Sequence, residues 1–323
     1  MSDREEKTGK NDNGKKNKGG KRNKIVAIEM IILVLLIMAA VAIFIQRDKS
    51  VKEAAKIHNQ KAKKTEQTSQ AAQKENEIEE ETEGTEEETG DRDEAVPDRS
   101  NFAVQPGVPV GTTEQSDEKI VYLTLDDGPS DNTQAVLDIL DKYNAKATFF
   151  VTGEMPEYKD MIKAAYDKGH TIGMHTYSHD YAKVYASVDA YFQDLDQIGQ
   201  MVQEEIGYVP CFIRFPGGSS NTVSKKYTAG IMSTLVQEVQ NRGYQYYDWN
   251  GSSGDGSVRT TEELVAQATS FDSNNIILLC HDSHGKQTTV EALPQIIEHY
   301  QSLGYTFKAL DRDSFVAHHG VNN

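Results

Sequence analysis

Short apolar runs alternate with longer amphipathic segments from residue 119 onward. Six runs have the length and composition of buried strands: 120–125, 147–151, 171–175, 211–215, 244–249 and 276–281. Between them, segments such as TQAVLDILDKY, YKDMIKAAYDK, DLDQIGQMVQEEIG and VEALPQIIEHYQSLG repeat apolar residues at about 3.6 positions, the period of an α-helix. Strands that alternate with helices indicate parallel strands joined by crossover helices. We therefore predict one α/β domain over residues 119–319, either an open sheet or a barrel.

A single apolar segment stands apart near the beginning of the chain. Residues 25–45 read IVAIEMIILVLLIMAAVAIFI, which is apolar except for Glu29. As a helix this segment would span roughly 31 Å, close to the hydrocarbon core of a bilayer at about 30 Å. The alternative is a cleaved signal peptide with Ala40-Val41-Ala42 as cleavage site, but the run is longer than the usual apolar region of about 7–15 residues. We expect a single-pass transmembrane anchor.

The charges around the anchor predict its orientation. Residues 1–24 hold nine Lys or Arg against four acids. Such a basic flank favours the cytoplasmic side, so residues 1–24 are predicted to be cytoplasmic and everything after Ile45 extracellular, at the cell membrane. Residues 46–118 predict a charged, largely disordered linker, with a helical stalk over 50–75 as an option. Within it, residues 79–94 hold ten acids against Arg92, which is typical of a self-repelling tether.

The net charge and the cysteine count limit the kinds of partner and of cross-link that the chain can have. The formal net charge of −16 argues against nucleic acid. Only Cys211 and Cys280 occur, which excludes a disulfide framework in an exported chain. The sequence is compatible both with a single disulfide between them and with two buried thiols. We expect a monomer.

Ionisable or polar residues follow five of the six predicted strands. They are Asp126-Asp127, the segment from His175 to His179, Arg214, Asp248-Trp249 and His281-Asp282. In parallel α/β domains, functional sites gather at the carboxyl ends of the strands. Each residue alone has an ordinary explanation, such as a turn-forming acid or a buried structural histidine. Their joint occurrence predicts one site at this end of the sheet.

The segment HTYSH suggests a metal. His175 and His179 are four residues apart, and on a helical turn they would share a face and bind one ion. Thr176 stands where the zinc-protease pattern requires Glu. A carboxylate from Asp127 or Asp126 would complete a site with two histidines, one carboxylate and an open position for water. Catalytic zinc sites have this geometry, whereas structural sites close all four positions.

Five motifs in order resemble a known family. TLDDGP, HTYSH, RFPGG, DWNGSSGD and LCH together resemble the polysaccharide deacetylases (NodB homology, carbohydrate esterase family 4), over residues 119–312. The resemblance implies an irregular (β/α) barrel with fewer than eight complete strands. It also implies one divalent metal ion, with zinc expected and cobalt, nickel or manganese as alternatives. The implied activity is metal-dependent N-deacetylation of an N-acetylglucosamine polymer, with peptidoglycan as the expected substrate.

The resemblance further implies a role for each matching residue. The implied metal ligands are Asp127, His175 and His179. The implied catalytic residues are Asp126 as general base, Arg214 holding that base, Gly217 offering its backbone N–H to the oxyanion, His281 as general acid, and Asp248 orienting His281. The charge of Arg214 is also expected to keep Asp126 ionised, which would lower its pKa. The implied substrate-binding residues are Pro216, Trp249 against the sugar, and Leu279 against the acetyl methyl.

Three positions depart from the family's pattern. Leu125 stands where Phe is usual, Gly217 where Tyr is common, and Gln245 where the fourth motif often begins with Asp. None of these changes removes a ligand, the base or the acid, so we expect activity and an altered substrate range. One alternative is a deacetylase of another glycan: an exopolysaccharide, chitin oligomers or acetylxylan. The other is a non-catalytic glycan-binding module, which would be expected to have lost one of these residues.

Overall fold

The computed structural model describes residues 99–323. The predicted cytoplasmic segment (1–24), the predicted anchor (25–45) and the linker up to residue 98 lie outside the described residues. Between residues 99 and 323, none of the helices combines the length and the apolar character needed to cross a membrane.

Eight parallel strands form one sheet. They are β1 Ile120–Asp126, β2 Ala147–Thr152, β3 Thr171–Thr176, β4 Phe212–Ile213, β5 Gln245–Tyr246, β6 Gly251–Ser252, β7 Asn275–His281 and β8 Thr306–Phe307. The order across the sheet is β5-β4-β3-β2-β1-β7-β6, and β8 pairs with β1. Four of the strands have only two residues, so the sheet is a half-barrel with few complete strands. The predicted α/β class and its incomplete barrel are confirmed.

Helices connect the strands. They are α1 Thr133–Lys142, α2 Asp160–Asp167, α3 Tyr181–Val184, α4 Val188–Ile206, α5 Ile231–Asn241, α6 Thr261–Ala268 and α7 Gln287–Ser302. The four segments with the clearest helical period correspond to α1, α2, α4 and α7. Helix α6 begins with a capping box formed by Thr260 and Glu263, a local pattern that marks its start.

The central strands are buried on both faces, which explains their continuous apolar character. Alternate residues of β1 enter two different core clusters, with Leu123 on the outer, helix-covered side and Tyr122 on the inner side. In the sheet register, Asp126 of β1 lies opposite Phe150 of β2 and His281 of β7. The ionisable residues that end β1 and β7 are therefore neighbours, as the strand-end rule predicts.

The structure changes the predicted start of the domain and decides between the two possibilities for the cysteines. The folded part begins before residue 119, because Phe102 and Val110 are buried in the inner cluster and Arg99 donates a hydrogen bond to the carbonyl of His170 at 2.5 Å. These isolated apolar residues among Pro and Gly gave no periodic signal. Cys211 and Cys280 are both free and buried, which excludes the bridge between them.

Candidate active site

The chain turns between the two adjacent acids at the end of β1. Asp126 is the last residue of the strand, whereas Asp127 has a left-handed φ of 67°. Gly128 follows, and a Cβ added there would lie 2.3 Å from a carboxylate oxygen of Asp282. Gly128 is thus required for close packing, and the left-handed residue at the turn is Asp127. This turn is what lets two neighbouring carboxylates serve one site.

Asp127, His175 and His179 come together as the sequence predicts, and their candidate ligand atoms lie within 4.8 Å of one another. Oδ1 of Asp127 is 3.4 Å from Nε2 of His175 and 3.3 Å from Nε2 of His179. The expected helical turn is absent, because His175 belongs to β3 and His179 lies in the loop that follows, with a φ of 47°.

The chemistry of this cluster fits a metal ion. Nδ1 of His175 lies 2.8 Å from the carbonyl oxygen of Arg214, which fixes the proton on Nδ1 and turns the lone pair of Nε2 toward Asp127. Burial lowers the pKa of His175 to about 3, so the ring is neutral. Oδ1 of Asp127 is buried without a hydrogen-bond partner in the described part of the chain. A buried anionic oxygen facing a neutral imidazole is unfavourable unless a cation lies between them, and two histidines with one carboxylate suit a divalent ion.

Arg214 holds Asp126 through a buried network. Nη1 of Arg214 is 2.7 Å from Oδ1 of Asp126 and 2.8 Å from Oγ1 of Thr124. Its Nε donates to the carbonyl of Tyr247 and its Nη2 to the carbonyl of Asp248. The predicted contact is therefore present. The expected lowering of the pKa of Asp126 is not seen. Burial outweighs the guanidinium charge of Arg214 and raises the pKa of Asp126 above its usual value. A carboxylate with a raised pKa is a better proton acceptor.

His281 lies at the end of β7, with Nε2 3.9 Å from Oδ2 of Asp127. Its Nδ1 is 2.8 Å from Oδ1 of Asp255, and its backbone N–H donates to Oδ2 of Asp255 at 2.7 Å. Burial alone would lower the pKa of His281. The bond to Asp255 and the surrounding carboxylate charges outweigh burial and raise the pKa to about 9. This histidine is therefore held protonated, with Nε2–H directed at the site.

The residue that orients His281 is Asp255, and the expectation that Asp248 does so was wrong. The carboxylate of Asp248 accepts from the backbone N–H of Ser219 at 2.8 Å, the hydroxyl of Ser219 at 2.5 Å and the backbone N–H of His319 at 2.8 Å. Both acids belong to DWNGSSGD, and the resemblance favoured the one beside Trp249. The two-residue strand β6, which pairs with β7, is what brings Asp255 next to His281.

Asp248→Ala should therefore act on stability and on the loop at Ser219. The buried N–H of Ser219 and the part-buried N–H of His319 would lose their acceptor, at about 1–3 kcal/mol for a buried donor. Urea unfolding should give a lower midpoint with an unchanged slope, whereas exposed Asp313→Ala should leave the midpoint in place. An unchanged midpoint together with a shifted pKa of His281 would restore the role first given to Asp248.

The expected oxyanion donor lies in a tight turn of two glycines that both have positive φ. Gly217 has a φ of 75°, and a Cβ added there would lie 2.7 Å from Oη of Tyr181. Within residues 99–323 its backbone N–H donates to no acceptor, so it is available to a ligand. The carbonyl of Pro216 is already bonded to the hydroxyl of Tyr185 at 2.8 Å. Pro216 thus helps to fix this loop through its backbone.

The two remaining predicted substrate residues lie on the same side of the sheet. Trp249 is half-buried and packs against the backbone of Gly218 and the ring of His319, whose centroid is 4.7 Å away. Leu279 is 7% exposed on β7, two residues before His281. Leu279 lies close to the acid along β7, and Trp249 offers a partly exposed indole, which suits stacking against a sugar.

Comparisons with known proteins identify the family. The sequence model of the family described as polysaccharide deacetylase matches residues 113–236. YheN of Bacillus subtilis (strain 168), assigned provisionally to the polysaccharide deacetylases, is 30% identical over 217 residues, which are 64% of this chain and 72% of YheN. This chain belongs to the polysaccharide deacetylase family. It is accordingly a hydrolase that acts on amides, and its substrate is a polysaccharide.

Solved structures and a further relative support the same family. The catalytic domain of peptidoglycan N-acetylglucosamine deacetylase from Eubacterium rectale ATCC 33656 is 47% identical, with a TM-score of 0.63, over 65% of this chain and 97% of that domain. The polysaccharide deacetylase Bc1974 from Bacillus cereus is 30% identical, with a TM-score of 0.53, over 64% of this chain and 97% of that one. A peptidoglycan-N-acetylglucosamine deacetylase of Bacillus cereus (strain ATCC 14579) is 29% identical over 65% of this chain and 78% of its own length.

Proposed function

We propose that the protein is a metal-dependent deacetylase that removes acetyl groups from N-acetylglucosamine residues of peptidoglycan. The observation that carries the proposal is the placement of a base and an acid around one candidate metal cluster. Asp126 and His281 end adjacent strands, and both adjoin the cluster of Asp127, His175 and His179: Oδ2 of Asp126 is 3.9 Å from Nε2 of His175, and Nε2 of His281 is 3.9 Å from Oδ2 of Asp127. Amide hydrolysis requires such a pair, because water must lose a proton and the leaving amine must gain one.

The first half of the reaction uses Asp126 and the loop at Gly217. A divalent ion held by Asp127, His175 and His179 would polarise the acetyl carbonyl and acidify the attacking water. Oδ1 of Asp126 is taken by Arg214, which leaves Oδ2, 3.9 Å from Nε2 of His175, to accept the proton of that water. The N–H of Gly217 stabilises the negative charge that develops on the carbonyl oxygen.

The second half uses His281. Nε2–H of His281 protonates the amine nitrogen as the C–N bond breaks, which releases acetate and a free amino sugar. The carboxylate of Asp255 on Nδ1 keeps the ring protonated and in one orientation until that moment. These roles agree with those the family resemblance implies for Asp126 and His281, with Asp255 in place of Asp248.

The choice of peptidoglycan is supported by two relatives. The Eubacterium rectale domain and the Bacillus cereus protein are both named for the N-acetylglucosamine of peptidoglycan. A membrane anchor over 25–45 followed by an acidic tether would, in addition, keep the catalytic domain outside the cell and close to the wall polymer. The departure at Gly217 lies in the loop of the expected oxyanion donor, whereas Gln245 is buried and bonded to the carbonyl of Tyr246 and to Nε2 of His318, so the substrate needs its own test.

Acetate release from purified peptidoglycan by the full-length protein tests the proposal. Release is expected to stop on chelation, to return with Zn²⁺ or Co²⁺, and to be abolished by His175→Ala but not by His299→Ala, which lies on α7 away from the site. Mass spectrometry of the muropeptides should locate the lost acetyl group on N-acetylglucosamine.

The alternatives predict different results. Activity on chitin oligomers or acetylxylan, with none on peptidoglycan, would show that the substrate is one of those glycans and not peptidoglycan. Release that persists after chelation and in His175→Ala would overturn the metal mechanism. Glycan binding without release under several metals would indicate a non-catalytic module.

A further inference from the structure

A buried carboxylate outside the metal cluster holds the loop that carries His179. Asp194 lies on α4 and is 8% exposed. Its Oδ1 accepts from the backbone N–H groups of Tyr177 at 2.6 Å and Ser178 at 3.2 Å, and its Oδ2 accepts from the hydroxyl of Ser178 at 2.5 Å. The side chain of Asp194 therefore clamps the two residues that immediately precede the second histidine.

The loop begins where β3 ends, and the hydrogen bonds of its first two backbone N–H groups go to Asp194. Strand β3 ends at Thr176, and beyond it the backbone N–H of Gly153 still donates to the carbonyl of Tyr177 at 2.9 Å, whereas the N–H groups of Tyr177 and Ser178 are bonded by Asp194. His179 then adopts a φ of 47°, a conformation that costs a non-glycine residue free energy and persists only when its surroundings impose it. This conformation brings Nε2 of His179 to 3.3 Å from Oδ1 of Asp127.

The buried carboxylate of Asp194 also favours this conformation of the loop electrostatically. A buried carboxylate is stable only if cations or hydrogen-bond donors compensate it. Within residues 99–323, Asp194 forms no ion pair with Lys, Arg or His, and the partners that bond both of its oxygens come from Tyr177 and Ser178. Hydrogen bonds to an ionised acceptor are also stronger than neutral ones. The negative charge of Asp194 thus stabilises this one loop conformation.

We propose that Asp194 is a positioning residue for the metal ligand His179. It fixes the backbone of Tyr177 and Ser178 so that the imidazole of His179 meets Asp127 and His175 around the ion. The inference rests on the proposed metal site. Residues that orient metal ligands in this way typically change metal affinity by about 10–100-fold when they are altered.

Metal affinity of the protein itself provides the test. The chelator-stripped full-length protein and three variants would be titrated with Zn²⁺ and Co²⁺ against a competing chromophoric chelator. Asp194→Asn should bind about 10–100-fold more weakly, and Ser178→Ala, which loses only the hydroxyl contact, should be weakened less. Asp196→Asn is the matched control, because Asp196 lies two residues further along α4 and is exposed. The visible spectrum of bound Co²⁺ should change in Asp194→Asn, because the position of His179 changes the ligand field.

The outcomes separate this inference from the proposed function. Wild-type affinity and an unchanged Co²⁺ spectrum in Asp194→Asn, with only a lower melting temperature of the metal-free protein, would show a purely structural role and overturn the inference alone. If Asp194→Asn does not fold, Ser178→Ala decides by the same two measurements. Absence of metal binding by the unaltered protein would overturn both the proposed metal site and this inference.

Discussion

Asp255→Asn should reduce kcat by about 10²- to 10⁴-fold, the usual contribution of a general acid, and move the alkaline limb of the pH–rate profile to lower pH. The reason is the pair formed by Asp255 and His281. Asp255 bonds both Nδ1 and the backbone N–H of His281, and it is only 2% exposed. Asparagine keeps the size of the side chain but removes the charge that stabilises the imidazolium.

The direction of the pH shift follows from the role of His281. An acid must be protonated to act, so activity is present below the pKa of His281 and is lost as pH rises through it. Carboxylate charge raises that pKa to about 9 against the effect of burial. Without the charge of Asp255 the pKa of His281 falls, and the alkaline limb of the pH–rate profile moves to lower pH. A bound cation would lower the pKa in wild type and variant alike, so the difference between them remains.

Initial rates of acetate release across the pH range measure both effects. Thr289→Val is a suitable control, because Thr289 donates to Oδ2 of Asp255 at 2.8 Å and its loss leaves the charge in place. We expect Thr289→Val to change kcat much less than Asp255→Asn does. A wild-type limb in Asp255→Asn combined with a shifted limb in Asp248→Asn would return the orienting role to Asp248.

The sequence predicted the strand-end residues because their positions depend on local patterns. Apolar runs locate β1, β2, β3 and β7, and parallel strands bring their carboxyl ends to one edge. The runs at 211–215 and 244–249 also mark real strands, but only two residues of each pair in the sheet. Pairing length depends on the neighbouring strand, and the sequence of one strand does not encode it.

The residues that were missed act through tertiary contacts. Asp255 follows the two-residue strand β6, which is too short to leave a periodic pattern. Asp194 lies within α4, where Asp189, Asp196 and Glu204 are exposed, so nothing local marks it as buried. The direction of the pKa of Asp126 was missed for a related reason: Arg214 is visible as a motif residue, whereas the depth of burial that opposes it is a property of the packed sheet.

Arg214→Met should destabilise the domain by about 3–5 kcal/mol, the usual cost of removing one partner of a buried ion pair. Arg214 is fully buried and bonded to Asp126, Thr124 and two backbone carbonyls. Methionine fills much of the same volume but leaves the carboxylate of Asp126 without its cation. Arg242→Met is the matched control, since Arg242 is exposed and packs over the ring of Phe192, and it should cost far less in urea unfolding.

A second substitution separates the ion pair from the loss of packing. In Arg214→Met/Asp126→Asn no buried charge remains unpaired, so the double variant should be less destabilised than the sum of the two single variants. The activity of Arg214→Met should also fall, and its acidic limb should move to higher pH. Asp126 must be ionised to accept a proton, and the absence of the guanidinium raises its pKa further. Additive stabilities together with an unmoved acidic limb would mean that Arg214 contributes packing alone. The expected coupling instead makes one buried arginine responsible both for the tolerance of Asp126 in the core and for the pH at which it can act as base.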